Sequence, residues 1–171
     1  MRATLLFLLM MSAVTESTAA QRHFVSASGT SNLSCSITQP CRQFSDALAV
    51  VDPGGEVIVL TSGGYGTRAI TQSVSIIAAP GVYAGITVFA GTGVSIASSG
   101  VQVALRGLTI NGQGGFVGVS MLQTGQLVME LVHDRVCHAQ CDHAQFQRRH
   151  FHRLAHRHIA RLCGRTAWRA S

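Results

Sequence analysis

The stretch Gly100–Gly115, GVQVALRGLTINGQGG, carries the pattern that decides the fold. Apolar and polar residues alternate from Val101 to Arg106, as they do in an extended strand with one buried face. Gly107 interrupts this alternation, the segment 108–110 resumes it, and Asn111 with the glycine after it breaks the chain again. Two short strands that meet at a glycine corner are typical of a solenoid rung, and Asn111 is expected at the turn after the second strand.

Weaker copies of this unit extend in both directions, from Val57 to Met129. About nine short apolar segments lie there, separated by Gly-rich breaks without a helical period between them. An antiparallel sandwich also has many short strands, but it joins them by hairpin turns at regular spacing. Here the spacing alternates between short and long, and several breaks are single corners. This favours an all-β fold, a parallel solenoid whose rungs stack their Val, Ile and Leu residues.

The charge of the 171-residue chain is unevenly distributed. Eight of its 13 Lys and Arg residues are arginines between positions 132 and 171, and only Asp134 and Asp142 oppose them there. The rest of the chain carries as many carboxylates as arginines. The net charge of +6 therefore says nothing about the partners of the folded part, and no nucleic-acid partner is predicted for it.

The N-terminus resembles an export signal. Met1-Arg2 precedes an apolar run from Ala3 to Val14, and the small residues 17–20 would suit a signal peptidase that cleaves after Ala20. The run is too short for a membrane span, and a buried N-terminal helix is the alternative. Residues 1–20 are therefore predicted to be a signal peptide, and the mature chain is expected to be secreted or periplasmic.

Two further features lie before the repeats. Cys35 and Cys41 bound a polar loop and can form a disulfide in an oxidising compartment, although two free thiols remain an alternative. The segment Arg42–Val51 has apolar residues at the spacing of a short amphipathic helix, and the Pro-Gly-Gly sequence after Asp52 ends it. A helix at this place is expected to cap the open end of the solenoid core.

The sequences CSITQPCRQFSDALAVVDPGGEVIVL, SVSIIAAPG and VALRGLTINGQG, in this order, resemble the N-terminal part of bacterial secreted proteins with the pectin-lyase-like fold. The resemblance implies a right-handed parallel β-helix over residues 21–130, with a longer ladder of rungs than this chain has. It implies an exported setting more than a reaction, because many members of that family have no assigned activity.

The best-known reactions on this fold are those of polysaccharide lyases and glycoside hydrolases, which need paired or clustered carboxylates. The available carboxylates are scattered: Asp46, Asp52, Glu56 and Glu130. Arg68 and Arg106 are expected to be solvated, so no catalytic residue and no cofactor is predicted. Three aromatic residues are candidates for a sugar-stacking surface, with packing on their own turns as the alternative: Tyr65, Tyr83 and Phe89.

The segment 131–171 breaks the pattern. Glycine disappears except for Gly164, whereas seven of the eight histidines lie there. The spacing of Cys137, Cys141, His152 and His156 approaches that of a zinc site, with His150 and His158 nearby, but strand-forming residues and an apolar core are missing around it. We therefore expect a disordered or marginally helical tail, produced by a frameshift or otherwise non-native, and no metal.

The sequence thus predicts a non-catalytic extracellular or cell-envelope scaffold with polysaccharide as its possible partner. The alternative is a polysaccharide lyase or glycoside hydrolase whose active-site rungs are missing from this chain. The oligomeric state stays open.

Overall fold

The structure, a computed structural model, describes residues 20–134, 139–141 and 144–149. The predicted signal peptide lies outside the described residues except for Ala20, and so do residues 150–171 of the tail. Within the described residues the chain forms one short helix, α1 (Phe44–Val50), and fourteen strands. The strands, numbered along the chain, are β1 (Arg22–Thr30), β2 (Glu56–Val59), β3 (Gly63–Gly64), β4 (Arg68–Ile70), β5 (Val74–Ala78), β6 (Ala84–Val88), β7 (Thr92–Ile96), β8 (Val101–Arg106), β9 (Leu108–Gly112), β10 (Val117–Met121), β11 (Gly125–Glu130), β12 (His133–Asp134), β13 (Ala139–Cys141) and β14 (Ala144–Arg149).

The strands form three parallel sheets, each of which takes every third strand from β2 onward. Sheet 1 has the order β1-β2-β5-β8-β11-β14, sheet 2 has β3-β6-β9-β12, and sheet 3 has β4-β7-β10-β13. Every pairing between these strands is parallel, and each rung contributes one strand to each sheet. The chain is therefore an all-β parallel β-helix, as its sequence predicts.

The core consists of columns of apolar side chains that stack from rung to rung. In sheet 1, Val57 aligns with Ile76, Ile76 with Leu105, and Leu105 with Met129, and all four side chains are buried. Equivalent columns in the other two sheets bury the residues Ile86 and Ile110, Val94 and Val119, and Ile70, Ile96 and Met121. Each fully buried side chain of this kind contributes roughly 1.5–3 kcal/mol, so the stacked columns hold the rungs together.

The corner at Gly107 has the geometry that the sequence predicts. Gly107 separates β8 from β9 with a φ of +70°, and its N–H donates to the carbonyl oxygen of Glu130 on the next rung (3.0 Å). Asn111 differs from the prediction, because it lies inside β9 and pairs with Thr87 of β6 instead of occupying a turn. The turn begins at Gln113, directly after the last residue of β9.

The N-terminal end of the helix is covered, as expected. Helix α1 is shorter than the predicted segment Arg42–Val51 and buries Phe44 and Ala47 against the first rung. The ring centroids of Phe44 and Tyr65 lie 5.3 Å apart. The backbone N–H of Phe44 donates to the carbonyl oxygen of Tyr65 (3.4 Å). Val51 adopts an extended conformation just before the Asp52-Pro53 pair and ends the helix.

The predicted disulfide between Cys35 and Cys41 is present, and both residues are buried. Its loop covers the outer edge of β1, because the N–H of Phe24 donates to the carbonyl oxygen of Cys35 (2.7 Å) and Val25 bridges to Cys41. Asn32 organises the loop: its Oδ1 accepts from the N–H groups of Ser34 (2.9 Å) and Cys35 (2.8 Å). The edge of β1 is thereby closed to further strands.

The ladder extends further than the sequence pattern predicts. Its predicted end is Glu130, whereas β12, β13 and β14 add one more strand to each sheet. The register aligns Asp134 with Ile110 and Arg148 with Met129, so two charged residue types occupy column positions that are apolar on the rung before. The register also aligns Phe146 with Leu127 and Cys141 with Met121, so the last rung continues the backbone pairing and keeps the apolar pattern of the core only in part.

Candidate functional site

The outer face of sheet 1 carries a shallow, half-open groove of about 180 Å³. Its lining is uncharged and combines turn residues, outward positions of three neighbouring strands and the buried Val74 and Val103: Gly54, Ser73, Val74, Ser75, Gln102, Val103, Ala104, Gln126 and Val128. One row of lining residues runs across the strands, since Ser75 aligns with Ala104 and Ala104 with Val128. The groove crosses the strands and so follows the stacking direction of the rungs.

Two glutamines line one side of this groove in register. Gln102 of β8 aligns with Gln126 of β11, and the register continues to Gln145 of β14. The backbone below them is fixed, because the N–H of Gln102 donates to Oγ of Ser73 (3.0 Å). Aligned residues on neighbouring parallel strands lie about 4.8 Å apart, so the groove presents carboxamides at a regular short repeat.

Two ion pairs join charged residues of neighbouring strands in sheet 1. The Nε of Arg106 lies 3.1 Å from Oε2 of Glu130, and the Nε of Arg22 lies 2.8 Å from Oε2 of Glu56. Both pairs are partly exposed, so each contributes little to stability.

Glu56 and Glu130, the two candidate carboxylates on sheet 1, lie too far apart for a hydrolase pair. Glu56 and Glu130 belong to β2 and β11, which are three strand spacings or about 14 Å apart. Glycoside hydrolases hold their two carboxyl groups about 5–9.5 Å apart. Asp46 lies on α1 and accepts hydrogen bonds from Ser31 and Ser45, while Asp52 follows that helix. Among residues 20–134 and the described strands beyond them, no group of three or more His, Cys, Asp or Glu residues could hold a metal ion.

The three aromatic candidates have different surroundings. Tyr65 is buried against Phe44, and its hydroxyl donates to the carbonyl oxygen of Thr61, so Tyr65 stabilises the first rung. Tyr83 is half exposed, and its ring covers the backbone of Gly85. Phe89 is largely exposed. Only the last of these three rings is free to contact a ligand over most of its surface.

Phe116 is an exposed aromatic residue that the sequence analysis missed. It is as exposed as Phe89, at 73%, and it lies on the turn stacked above the turn that contains Phe89. The N–H of Phe116 donates to the carbonyl oxygen of Gly91 (3.0 Å), which links the two turns directly. Its exposure could have been expected from its position directly after the Gly-rich turn GQGG, since a residue on a turn has no inward-facing strand position.

The candidate zinc ligands fall mostly outside the described residues. Cys137, His152 and His156 lie there, as do His150 and His158. Cys141 is part of β13, where its backbone aligns with Met121 of β10. The prediction that these residues hold no metal therefore stays a prediction.

Three parallel sheets enclose stacked apolar columns, and a helix and a disulfide loop cover one end. This arrangement defines the chain as a parallel β-helix. Comparison with models of known protein families, with curated proteins and with solved structures finds no match for the chain. No helix in the part of the chain that the structure describes is both long and apolar enough to cross a membrane. The disulfide is compatible with an oxidising, extracellular compartment.

Proposed function

We propose that this chain is a secreted, non-catalytic scaffold that binds polysaccharide in the groove on sheet 1. The observation that carries the proposal is the uncharged groove in which Gln102 and Gln126 stand in register. Carboxamides both donate and accept hydrogen bonds, and their repetition along the rungs suits a polymer whose hydroxyl groups also repeat. The resemblance to secreted pectin-lyase-like proteins supports the same class of partner.

The binding test uses the full chain and a panel of soluble polysaccharides in affinity electrophoresis. We expect retardation by at least one neutral polysaccharide, and a weaker effect in the double variant Gln102→Ala/Gln126→Ala. Gln123→Ala is the matched control, because Gln123 is exposed on the turn between β10 and β11 and does not line the groove. Equal retardation of all three proteins would place binding elsewhere, and no retardation by any polysaccharide would refute the binding function.

The alternative function is a polysaccharide lyase or glycoside hydrolase of the pectin-lyase-like fold, with its active site on rungs that this chain lacks. The separation of Glu56 from Glu130 argues against a hydrolase pair on these rungs. Incubation of the purified chain with polygalacturonate and related polymers, with and without calcium, separates the two functions. Calcium-dependent cleavage would make the chain an enzyme.

We also propose that the chain is exported by cleavage after Ala20 and that residues 131–171 are a frameshifted or otherwise non-native tail. The small residues before Gln21 support the first proposal, and the change in composition after residue 130, where histidine and arginine replace glycine, supports the second. Mass spectrometry of protein from a secretion-competent host should find an N-terminus at Gln21. An intact Met1 in the exported fraction would contradict export by cleavage.

A further inference from the structure

The residue that export would place first in the mature chain is a glutamine. Cleavage after Ala20 turns the α-nitrogen of Gln21 into a free amine. An N-terminal glutamine carries this amine and a carboxamide in one residue, at the separation that closes a five-membered lactam. Two groups held within one residue react far more readily than two separate molecules do, so Gln21 is a candidate site of self-modification.

The backbone around Gln21 leaves its α-nitrogen available. Ala20 and Gln21 are both exposed and precede β1, which begins at Arg22. The carbonyl oxygen of Gln21 accepts from the N–H of Glu56 (2.8 Å), whereas within the described residues its own N–H donates to no backbone carbonyl. Cleavage of the peptide bond before Gln21, and a later change at its α-nitrogen, therefore leave the first contact between β1 and β2 intact.

The side chain of Gln21 is held by the atom that cyclisation keeps. Its Oε1 accepts from the backbone N–H of Asp52 (3.1 Å), the residue after the C-cap of α1. Its Nε2, the atom that leaves, has no hydrogen-bond partner among the described residues. Negative charge develops on the amide oxygen during ring closure, and a donor already bonded to that oxygen stabilises this charge. The turn 52–56 thus holds both oxygens of Gln21 and neither of its nitrogens.

We propose that Gln21 is a modification site: after export it cyclises to pyroglutamate, and the N–H of Asp52 promotes the closure. This inference rests on the proposed cleavage after Ala20. The neutral α-amine attacks Cδ, so a bond forms between the α-nitrogen and Cδ while the bond between Cδ and Nε2 breaks. Nε2 takes the proton that the amine releases and leaves as ammonia. An α-amine ionises near pH of about 7.7–8.0, so a fraction of it is neutral at physiological pH and no co-reactant is needed.

The modification would block the N-terminal end of the β-helix. A lactam carries no terminal positive charge and no free α-amine. Exopeptidases that recognise this amine would then have no starting point next to β1. Because β1 pairs with the first rung and carries the disulfide loop on its other edge, the blocked residue protects the covered end of the helix from trimming.

The test analyses the full chain after secretion from a host that lacks glutaminyl cyclase. We expect the intact mass of residues 21–171 less one ammonia and an N-terminus that resists Edman degradation. Pyroglutamyl aminopeptidase should remove the blocked residue and open the sequence Arg22-His23-Phe24. Gln21→Asn is the matched control, because asparagine keeps a carboxamide but could close only a strained four-membered ring. Its N-terminus should be open to Edman degradation.

The part played by Asp52 is measured as a rate. Secreted protein is collected in the cold, and the loss of ammonia from Gln21 is followed at one pH in buffer and in urea. A synthetic peptide of residues 21–27 in the same two solutions corrects for the effect of urea itself. We expect closure to be about two- to tenfold faster in the folded chain, the range that corresponds to one hydrogen bond. Equal or slower closure in the folded chain would overturn the role of Asp52.

The outcomes separate this modification from export. A free glutamine at position 21 that persists in the native secreted chain would overturn cyclisation and leave export standing. An intact Met1 in the exported fraction would overturn both, because Gln21 would never be N-terminal. The scaffold function is tested independently of both, by the binding of polysaccharide.

Discussion

At the residue scale, Gly107 shows how one position shapes a rung. Its positive φ is unfavourable for residues with a side chain, and a Cβ there would lie 3.2 Å from Cβ of Ala78 on the previous rung. We expect Gly107→Ala to lower the free energy of unfolding by about 1–2 kcal/mol, measured by urea denaturation. Gly64→Ala is the control, because Gly64 has open space at its Cβ and should change stability by less than about 0.5 kcal/mol. Equal effects at both glycines would show that backbone strain is not the cause.

Asn32 has a comparable role in the disulfide loop. Besides the two bonds that its Oδ1 accepts, its Nδ2 donates to the carbonyl oxygen of Thr30 (3.1 Å). We expect Asn32→Ala to cost about 0.5–1.5 kcal/mol of unfolding free energy, because it removes these hydrogen bonds at positions where water can replace only part of them. Asn32→Asp keeps the acceptor and should recover part of the loss. Leu33→Ala should be silent, since Leu33 is 87% exposed; a loss there as large as that at Asn32 would contradict the hydrogen-bond explanation.

At the scale of elements, the disulfide loop closes the edge of β1. The chain-entropy model assigns about 2–3 kcal/mol to a bridge across a loop of this length. We expect Cys35→Ala/Cys41→Ala to lose about this amount of unfolding free energy, with alanine chosen because both positions are buried. Reductant should lower the urea midpoint of the unsubstituted chain and leave the variant unchanged. A midpoint that is insensitive to reductant in both proteins would show that the bridge contributes no stability.

Helix α1 begins without a side-chain cap. Gln43 occupies the N-cap position in an extended conformation, and its side chain makes no capping hydrogen bond. Serine at this position can accept from the free N–H groups of the first turn, so Gln43→Ser should raise the unfolding free energy by about 0.5–1 kcal/mol. Ala49→Ser inside the same helix should be neutral or slightly destabilising. A loss of stability in Gln43→Ser would indicate that the glutamine has a contact of its own.

At the scale of the whole molecule, the sequence predicted the architecture better than its boundaries and surfaces. Alternation of apolar and polar residues and single-glycine corners were sufficient for the parallel helix, because each column needs only an apolar residue at the same place on every rung. Alternation alone does not tell which face of β1 points into the core. The pairing of β1 with β2 buries His23 and leaves Phe24 only partly buried. The extent to which Phe116 is exposed could not be predicted for a related reason. Whether a side chain on a turn is covered depends on which turns stack on one another, and that follows from the register.

The C-terminal rung poses the opposite problem, because the backbone pairing continues in full where the apolar sequence pattern continues only in part. In a parallel sheet the hydrogen bonds require only extended backbone, so β14 can pair with β11 whatever its side chains are. Stability depends on the columns, and an ionised group taken from water into an apolar column costs several kcal/mol unless it is paired. A rung with Arg148 opposite Met129 and Asp134 opposite Ile110 is therefore expected to add less stability than the apolar rungs before it, although Phe146 and Cys141 continue two of the columns.

The last prediction concerns the coding DNA of this rung. If residues 131–171 result from a shift of reading frame, one of the other two frames, read from about codon 128, should encode Val, Ile or Leu at the column positions and glycines at the corners. Replacing the tail with that translated segment should raise the unfolding free energy and reduce aggregation, because the new rung would cover the apolar ends of β9, β10 and β11. Sequencing the gene and comparing the two proteins in urea tests this directly. The tail is a native module instead if neither frame restores the pattern and residues 131–171 bind zinc stoichiometrically and resist proteolysis.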